Sequence, residues 1–345
     1  MSSDPVANRG RVHPVTPPPQ VLLTGANGFV GSHILDVLRA EGMGVRALLR
    51  PGSDRSFIQS QLPGITVCDG SIGAPDALDR ALQGASHVIH CAGATRALGA
   101  RGFFEVNEAG TRHVVDAVNR HGSIRRLVHI SSLAAVGAAT RERPLTDADP
   151  PRPNSTYGLS KLAAEEQVRE RCRTEFTILR PPAVYGPRDR EFLRLFKAVR
   201  SGFKPVFGDG SQELHFVYAP DLARAAVHCL TASGAAGQSF FVAEQTQITS
   251  RGFGDLVAGV LGCRARMLRI PVWALYALCV GQDLASQVTR RASVLSRHKF
   301  GEFRAEALTC DATPLRERTG FTCPTDLKTG LLRTLEWYRT QGWIP

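Results

Sequence analysis

The chain has 345 residues, 43% of them hydrophobic, enough for a substantial core in one large domain or two. Its formal charge of +11 comes mostly from arginines scattered along the sequence, without the basic tract and interleaved aromatics of a nucleic-acid binder, so nucleic acid is excluded as the expected partner. Eight cysteines form no Cys-x-x-Cys pair and no zinc spacing, which excludes a zinc site and reads as reduced thiols of a cytoplasmic protein.

Residues 1–19 carry prolines and charges but no apolar h-region, so a disordered leader is expected there rather than a signal peptide or a membrane anchor. From residue 20 to 180, short apolar runs at 21–23, 45–49, 65–68, 87–90, 127–131 and 176–179 alternate with amphipathic segments. Repeated β-α-β units predict an α/β dinucleotide-binding domain, a doubly wound parallel sheet of the Rossmann type. Ligands in such sheets bind beyond the carboxyl ends of the strands. The first strand leads into Thr24-Gly25-Ala-Asn27-Gly28-Phe29-Val30-Gly31 and then a helix. In that order Gly25 permits a tight turn, Gly28 lets backbone approach a pyrophosphate, and Gly31 lets the helix pack closely, with the phosphates at the helix N-terminus.

The second strand ends on Arg50, where a carboxylate would select the ribose 2′-hydroxyl of NAD, so NADP is preferred over NAD. Ala92-Gly93 follows the fourth strand and Ser132 the fifth. Of the two adjacent serines, strand alternation turns Ser131 to the opposite side. Tyr157-Gly-Leu-Ser-Lys161 comes 25 positions after Ser132 and places a phenol and an ammonium one helical turn apart on one face. A free tyrosine keeps its proton to about pH 10, so the lysine is expected to lower its pKa for acid/base work. His90, His215 and His228 lie in no metal pattern and are expected to serve packing; no metal is expected.

Beyond residue 181 the pattern is less regular. Helices are predicted at 192–200, 222–230, 253–261 and 327–339, with a strand near 240–242, giving a smaller C-terminal α/β substrate domain over 181–345 that returns some segments to the nucleotide domain. The most apolar stretch, 271–281, is too short for a span of about 20 residues. It fits a buried core helix, a lid over a greasy substrate, or a shallow membrane contact.

Together these motifs resemble the extended short-chain dehydrogenase/reductase superfamily, the NAD(P)-dependent epimerase/dehydratase group. Further matching stretches are Val106-Asn107-Glu-Ala-Gly-Thr111, His129 to Gly137, Leu179-Arg-Pro-Pro-Ala-Val-Tyr-Gly-Pro187, His215 to Leu222 and Thr334 to Trp343. The resemblance implies Ser132, Tyr157, Lys161 and Asn107 as catalytic residues. It adds Asp69, Gly70, Ala92, Gly93, Pro181 and Val184 to the cofactor site, and Leu133, Ala134 and Tyr185 to the substrate site. Sugar-nucleotide epimerases of the family carry an arginine where this chain has Leu214-His215, and 4,6-dehydratases an Asp-Glu pair where it has Leu133-Ala134. The chain is more similar to the dihydroflavonol-reductase and 3-beta-hydroxysteroid-dehydrogenase-like branch, which implies a small hydrophobic cyclic alcohol or ketone as substrate. The runner-up is a nucleotide-sugar 4-epimerase using other arginines such as Arg188 or Arg316, with tightly bound NAD. Relatives also suggest a homodimer through the helices at 103–120 and 157–171.

Overall fold

The computed structural model describes residues 19–290, 292–293 and 295–345, so the expected leader lies outside the described residues except for Pro19. The six strands predicted up to residue 180 form as β1 (Gln20–Thr24), β2 (Gly44–Leu49), β3 (Thr66–Asp69), β4 (His87–His90), β5 (Arg126–Ile130) and β6 (Glu175–Arg180). Between them run α1 (Phe29–Ala40), α2 (Pro75–Leu82), α3 (Ala100–Phe104), α4 (Gly110–Arg120) and α5 (Thr156–Arg171). The second half comprises β7 (Ala183–Tyr185), α6 (Arg190–Arg200), β8 (Phe203–Phe207), β9 (Glu213–Leu214), β10 (Phe216–Tyr218), α7 (Ala219–His228), β11 (Gln238–Phe241) and β12 (Ile248–Thr249). It continues through α8 (Ser250–Leu261), β13 (Arg266–Ile270), α9 (Val272–Thr289), α10 (Phe300–Arg304), β14 (Ala307–Leu308), α11 (Thr313–Thr319) and α12 (Leu327–Thr340).

Seven parallel strands make the main sheet in the order β11-β6-β5-β4-β1-β2-β3. The order reverses between β1 and β4, which is where such sheets open a crevice for a ligand. The strand expected near 240–242 is therefore the edge strand β11 of this sheet, one of the returning segments. β1 shows why the run was legible: Val21 and Leu23 face a core built with Ile34, Leu35 and Leu38 of α1 and Leu222 and Val227 of α7. Leu22 faces the other layer, with Leu78, Val114, Val118 and Val168 from α2, α4 and α5. Each of these fully buried aliphatic side chains contributes roughly 1.5–3 kcal/mol over remaining in water. A third cluster, with Phe196, Phe216, Phe253, Leu331 and Tyr338, forms the heart of the second half.

The apolar stretch at 271–281 belongs to an 18-residue helix, α9, not to the core. Only Leu275, Cys279 and Ser286 of that helix are buried, and Trp273 is 75% exposed, so the core-helix reading is corrected. No described helix is long and apolar enough to cross a membrane. The eight cysteines are all free.

Candidate active site

The crevice is built from the carboxyl ends of β1, β4 and β5. At β1 the chain turns through Gly25, whose φ of +74° suits glycine, and a Cβ there would lie 2.7 Å from the Ala92 nitrogen. A Cβ on Gly31 would lie 2.0 Å from the Gly25 carbonyl oxygen, so α1 starts against the turn itself. Gly28, by contrast, is exposed, and its missing Cβ would meet only the Gly25 oxygen, at 3.3 Å. No side chain caps the N-terminus of α1, which leaves the first N–H groups of a 12-residue helix for an outside acceptor. These three features fit a dinucleotide pyrophosphate. Phe29 and Val30 form the first turn of α1, and Asn27 donates from Nδ2 to the Asp54 carbonyl at 2.7 Å, tying the glycine turn to the loop after β2.

Thr24 joins the strand ends: its hydroxyl pairs with His90 Nδ1 at 2.7 Å and accepts from the Ala92 N–H at 3.1 Å. Gly93 is exposed, and a Cβ there would lie 3.2 Å from Asn107 Oδ1 and 3.7 Å from Lys161 Nζ. Asn107 sits in a single π-helical turn, Glu105–Ala109, between α3 and α4. It accepts from the Ala94 N–H at 2.7 Å and donates to the Ala94 carbonyl and the Ser160 hydroxyl, so it clamps the loop after β4 to α5.

Ser132 stands just past β5, half-buried, and its hydroxyl oxygen accepts from the Ala134 N–H at 3.2 Å. Ser131 points the other way, donating to the buried Glu165 carboxylate. Burial alone would raise the Glu165 carboxyl, but Arg180, Arg169 and the Ser131 hydroxyl together hold it below its ordinary range. α5 begins under the Ser155 cap, which accepts from the Gly158 N–H at 2.9 Å. A cap of this type contributes about 1 kcal/mol. A Cβ on Gly158 would lie 2.3 Å from the Ala134 carbonyl oxygen, so the Tyr157 turn rests directly on the turn that carries Ser132.

Lys161 is buried and donates from Nζ to the Ile130 carbonyl at 2.7 Å. Burial lowers its pKa from 10.5 to about 8, partly offset by Cys91 and Glu165. The Tyr157 hydroxyl moves the other way: burial first, then the Glu302 carboxylate, hold it above 10, opposed by a hydrogen bond with Ser132. The expected lowering by Lys161 is thus not found in the chain alone, because desolvation of the phenolate dominates. His90, its ring tilted 33° to that of His129 with centroids 5.2 Å apart, is depressed to about 3 by burial and then by the Lys161 charge, consistent with a packing role. His228 pairs with the Thr319 carbonyl, again packing. No described group of histidine, cysteine, aspartate or glutamate is arranged to hold a metal.

Because Lys161 is held below its unfolded value, the unfolded chain binds more protons between about pH 8 and 10.5, and this group makes stability rise with pH across that window. Lys161→Met should remove a gain of roughly 2 kcal/mol between pH 8 and 10. Urea midpoints of both proteins at the two pH values check this, and parallel pH slopes would contradict it.

Several expected residues lie elsewhere. Tyr185 is fully buried among Phe192, Phe216 and Tyr218, so it does not line a substrate site. Leu133 packs into a side core with Val136, Leu145 and Phe241, and only Ala134 of that pair touches the Tyr157 cluster. Pro181 is buried and accepts from the Leu133 N–H, while Val184 is partly buried against the main core. Asp69 ends β3 and Gly70 follows it; Asp69 pairs with Arg55 at 2.9 Å, and Arg50 is exposed beyond β2 with no ion pair among the described residues.

Sequence reasoning missed the segment around α10. Lys299 Nζ lies 4.1 Å from the centroid of the Tyr157 ring, and His298 Nδ1 is 3.1 Å from the Thr156 hydroxyl. Glu302 accepts from the Ser155 hydroxyl at 2.7 Å. Phe103 completes the wall, 6.0 Å from the Tyr157 ring.

Fold and crevice define a nucleotide-dependent enzyme of the doubly wound class. The profile of the NAD dependent epimerase/dehydratase family matches residues 21–243, and the chain belongs to that family, within the extended short-chain dehydrogenase/reductase superfamily, as an NAD(P)-dependent oxidoreductase-type enzyme. It is similar to a ceramide reductase of Caulobacter vibrioides, at 31% identity over 94% of this chain and 96% of that one. It is also similar to a 4-hydroxy-2-methyl-3-oxo-4-farnesyl-3,4-dihydroquinoline-1-oxide ketoreductase of Stigmatella aurantiaca, at 30% identity over 77% and 80%. Among solved structures, MoeE5 in complex with UDP-glucuronic acid and NAD superposes with a TM-score of 0.73 at 25% identity, covering 93% of this chain and 99% of that one.

Proposed function

We propose that this enzyme interconverts a ketone and a secondary alcohol on a hydrophobic substrate, working as a reductase at neutral pH. One observation carries the choice of branch. At the position where sugar-nucleotide relatives hold the diphosphate with arginine, this chain has Leu214 and a buried His215. Burial holds that imidazole below its ordinary pKa, and its Nδ1 accepts from the Cys310 N–H at 3.1 Å, so the ring is neutral. Neither side chain can clamp a diphosphate. Of the alternative arginines, Arg188 is committed to Asp36 at 2.7 Å. Arg316 belongs to α11, whose Arg318 binds Gln238 at the amino end of β11, away from the crevice. The names of the ceramide reductase and the farnesyl-bearing ketoreductase favour the same branch, and widen the class from ring compounds to long-chain ketones. The nucleotide-sugar 4-epimerase reading is favoured by the likeness to MoeE5 with its UDP-sugar.

A nicotinamide cofactor would supply the hydride. Gly25 to Gly31 and the α1 N-terminus would hold its pyrophosphate, and Lys161 its ribose. Tyr157, kept protonated well above neutrality, would give its proton to the carbonyl oxygen. The Ser132 hydroxyl, which accepts from the Ala134 N–H and hydrogen-bonds the Tyr157 hydroxyl, would turn its proton to the same carbonyl oxygen and stabilise charge there. Asn107 would keep the loop after β4 in place beneath the cofactor. Arg50 would bind the 2′-phosphate of NADP: Arg50→Ala should raise the Kd for NADP about tenfold or more and change NAD by less than about twofold. Equal losses by titration calorimetry would remove that assignment. The reading as a whole is tested by mass spectrometry of the co-purifying nucleotide and its exchange rate. Freely exchanging NADP is expected; stoichiometric NAD that survives dialysis would favour the epimerase.

A further inference from the structure

We propose that the outer face of α9 docks onto an anionic lipid surface, an inference independent of the substrate assigned above. α9 is apolar on two sides. Leu275, Cys279 and Ser286 face the protein, while Trp273, Ala277, Val280, Leu284 and Val288 follow one another at intervals of four, three, four and four residues. That spacing lines them up on one side of the helix, turned away from the buried stripe. Trp273 is 75% and Val288 86% exposed, and Leu284 is also exposed. Seven of the twelve large hydrophobic side chains exposed among the described residues fall between Leu268 and Val288. Trp273, Ala277, Leu278 and Gly281 line a shallow groove on this surface. A patch this continuous and apolar marks a contact surface.

Charge identifies the occupant. α9 carries one charged side chain, Asp283, which is engaged by Arg297 at 2.8 Å. Arg264, Arg266 and Arg269 precede the helix and Arg290 ends it; all four are exposed and none makes an ion pair among the described residues. A second copy seated on this face would bring two such arginine groups together, on a chain already at +11, which disfavours self-association. A bilayer with acidic headgroups takes both components at once: the apolar stripe enters the acyl boundary, Trp273 suits the headgroup level, and the arginines reach phosphates. At about 27 Å long and lying flat, the helix anchors without spanning. It is also joined to the segment above Tyr157, through Asp283 to Arg297 and through Tyr276, 5.0 Å from the Phe300 ring.

The test is co-sedimentation of the full chain with vesicles of phosphatidylcholine alone and of equal parts phosphatidylcholine and phosphatidylglycerol, at low and high salt. The chain is expected to sediment with the anionic vesicles, to be released by salt, and to ignore the neutral ones. Trp273→Glu with Leu284→Glu should weaken anionic-vesicle binding at least about tenfold, and Arg266→Glu with Arg269→Glu should remove its salt dependence. NADP binding, measured separately, should remain unchanged in both, which shows that the variants fold and keeps this test apart from that of the active site. Absence of anionic-vesicle binding, binding indifferent to the substitutions, or a dimer in solution that Trp273→Glu with Leu284→Glu dissociates would each overturn the proposal.

Discussion

Tyr157→Phe should cut turnover by about 10²- to 10⁴-fold while leaving NADP affinity within about twofold. The substitution removes one oxygen and keeps the ring, so the packing against Phe103 and beneath Lys299 survives. No tertiary contact of the glycine turn depends on that hydroxyl, which is why binding and chemistry should separate. The loss corresponds to roughly 3–5 kcal/mol of transition-state stabilisation, the size expected when a positioned proton donor is deleted. Stopped-flow turnover with nucleotide titration on the same preparation checks both halves. Turnover within tenfold of the parent would remove Tyr157 from the chemistry and point to Lys299 or Glu302 as the proton source.

Gly31→Ala should be nearly as damaging, for a different reason. The new methyl would lie 2.0 Å from the Gly25 oxygen and 2.7 Å from its carbon, both backbone atoms that cannot rotate away. α1 must therefore move out, at a cost of about 1–3 kcal/mol of stability, and its N-terminus leaves the place where the pyrophosphate would sit. NADP affinity is expected to fall at least about a hundredfold, close to 3 kcal/mol. Gly28→Ala supplies the contrast: its methyl meets only the Gly25 oxygen at 3.3 Å, so stability should hold while affinity falls. Thermal unfolding and nucleotide binding of the two variants check this. Unimpaired binding in Gly31→Ala would show that the turn does not carry the dinucleotide.

The parts of the site visible in the sequence are those made by neighbours in the chain. The glycine turn reads as a unit because its three roles are local, and Tyr157 and Lys161 because helix geometry links them. The strand ends follow from uninterrupted apolar runs such as that of β1, buried on both faces. What stayed hidden depends on contacts across the fold. Glu302 reaches Ser155 across 147 positions, and no periodicity announces that α10 will rest on the start of α5. Tyr185 follows a motif that in outline suits a ligand wall, yet the aromatic cluster around Phe216 encloses it. The acidity of the Tyr157 hydroxyl also escaped, because proximity to an ammonium is visible in a helix register while desolvation is not. β11 was placed by its apolar residues but not by its partner, since strand pairing with β6 is set by topology alone. α9 was seen as apolar, and only the fold showed that it faces outward.

The central claim is that Tyr157, Ser132 and Lys161 act on a hydrophobic ketone held beside a nicotinamide. It is tested most directly by following deuterium from 4-deuterated NADPH into product, with a long-chain ketone, a steroidal ketone and UDP-glucose offered in parallel. Deuterium on the carbinol carbon of a hydrophobic alcohol, absent with Tyr157→Phe, is the predicted result. No transfer to either ketone, together with C4 inversion of the sugar nucleotide on retained NAD, would contradict it.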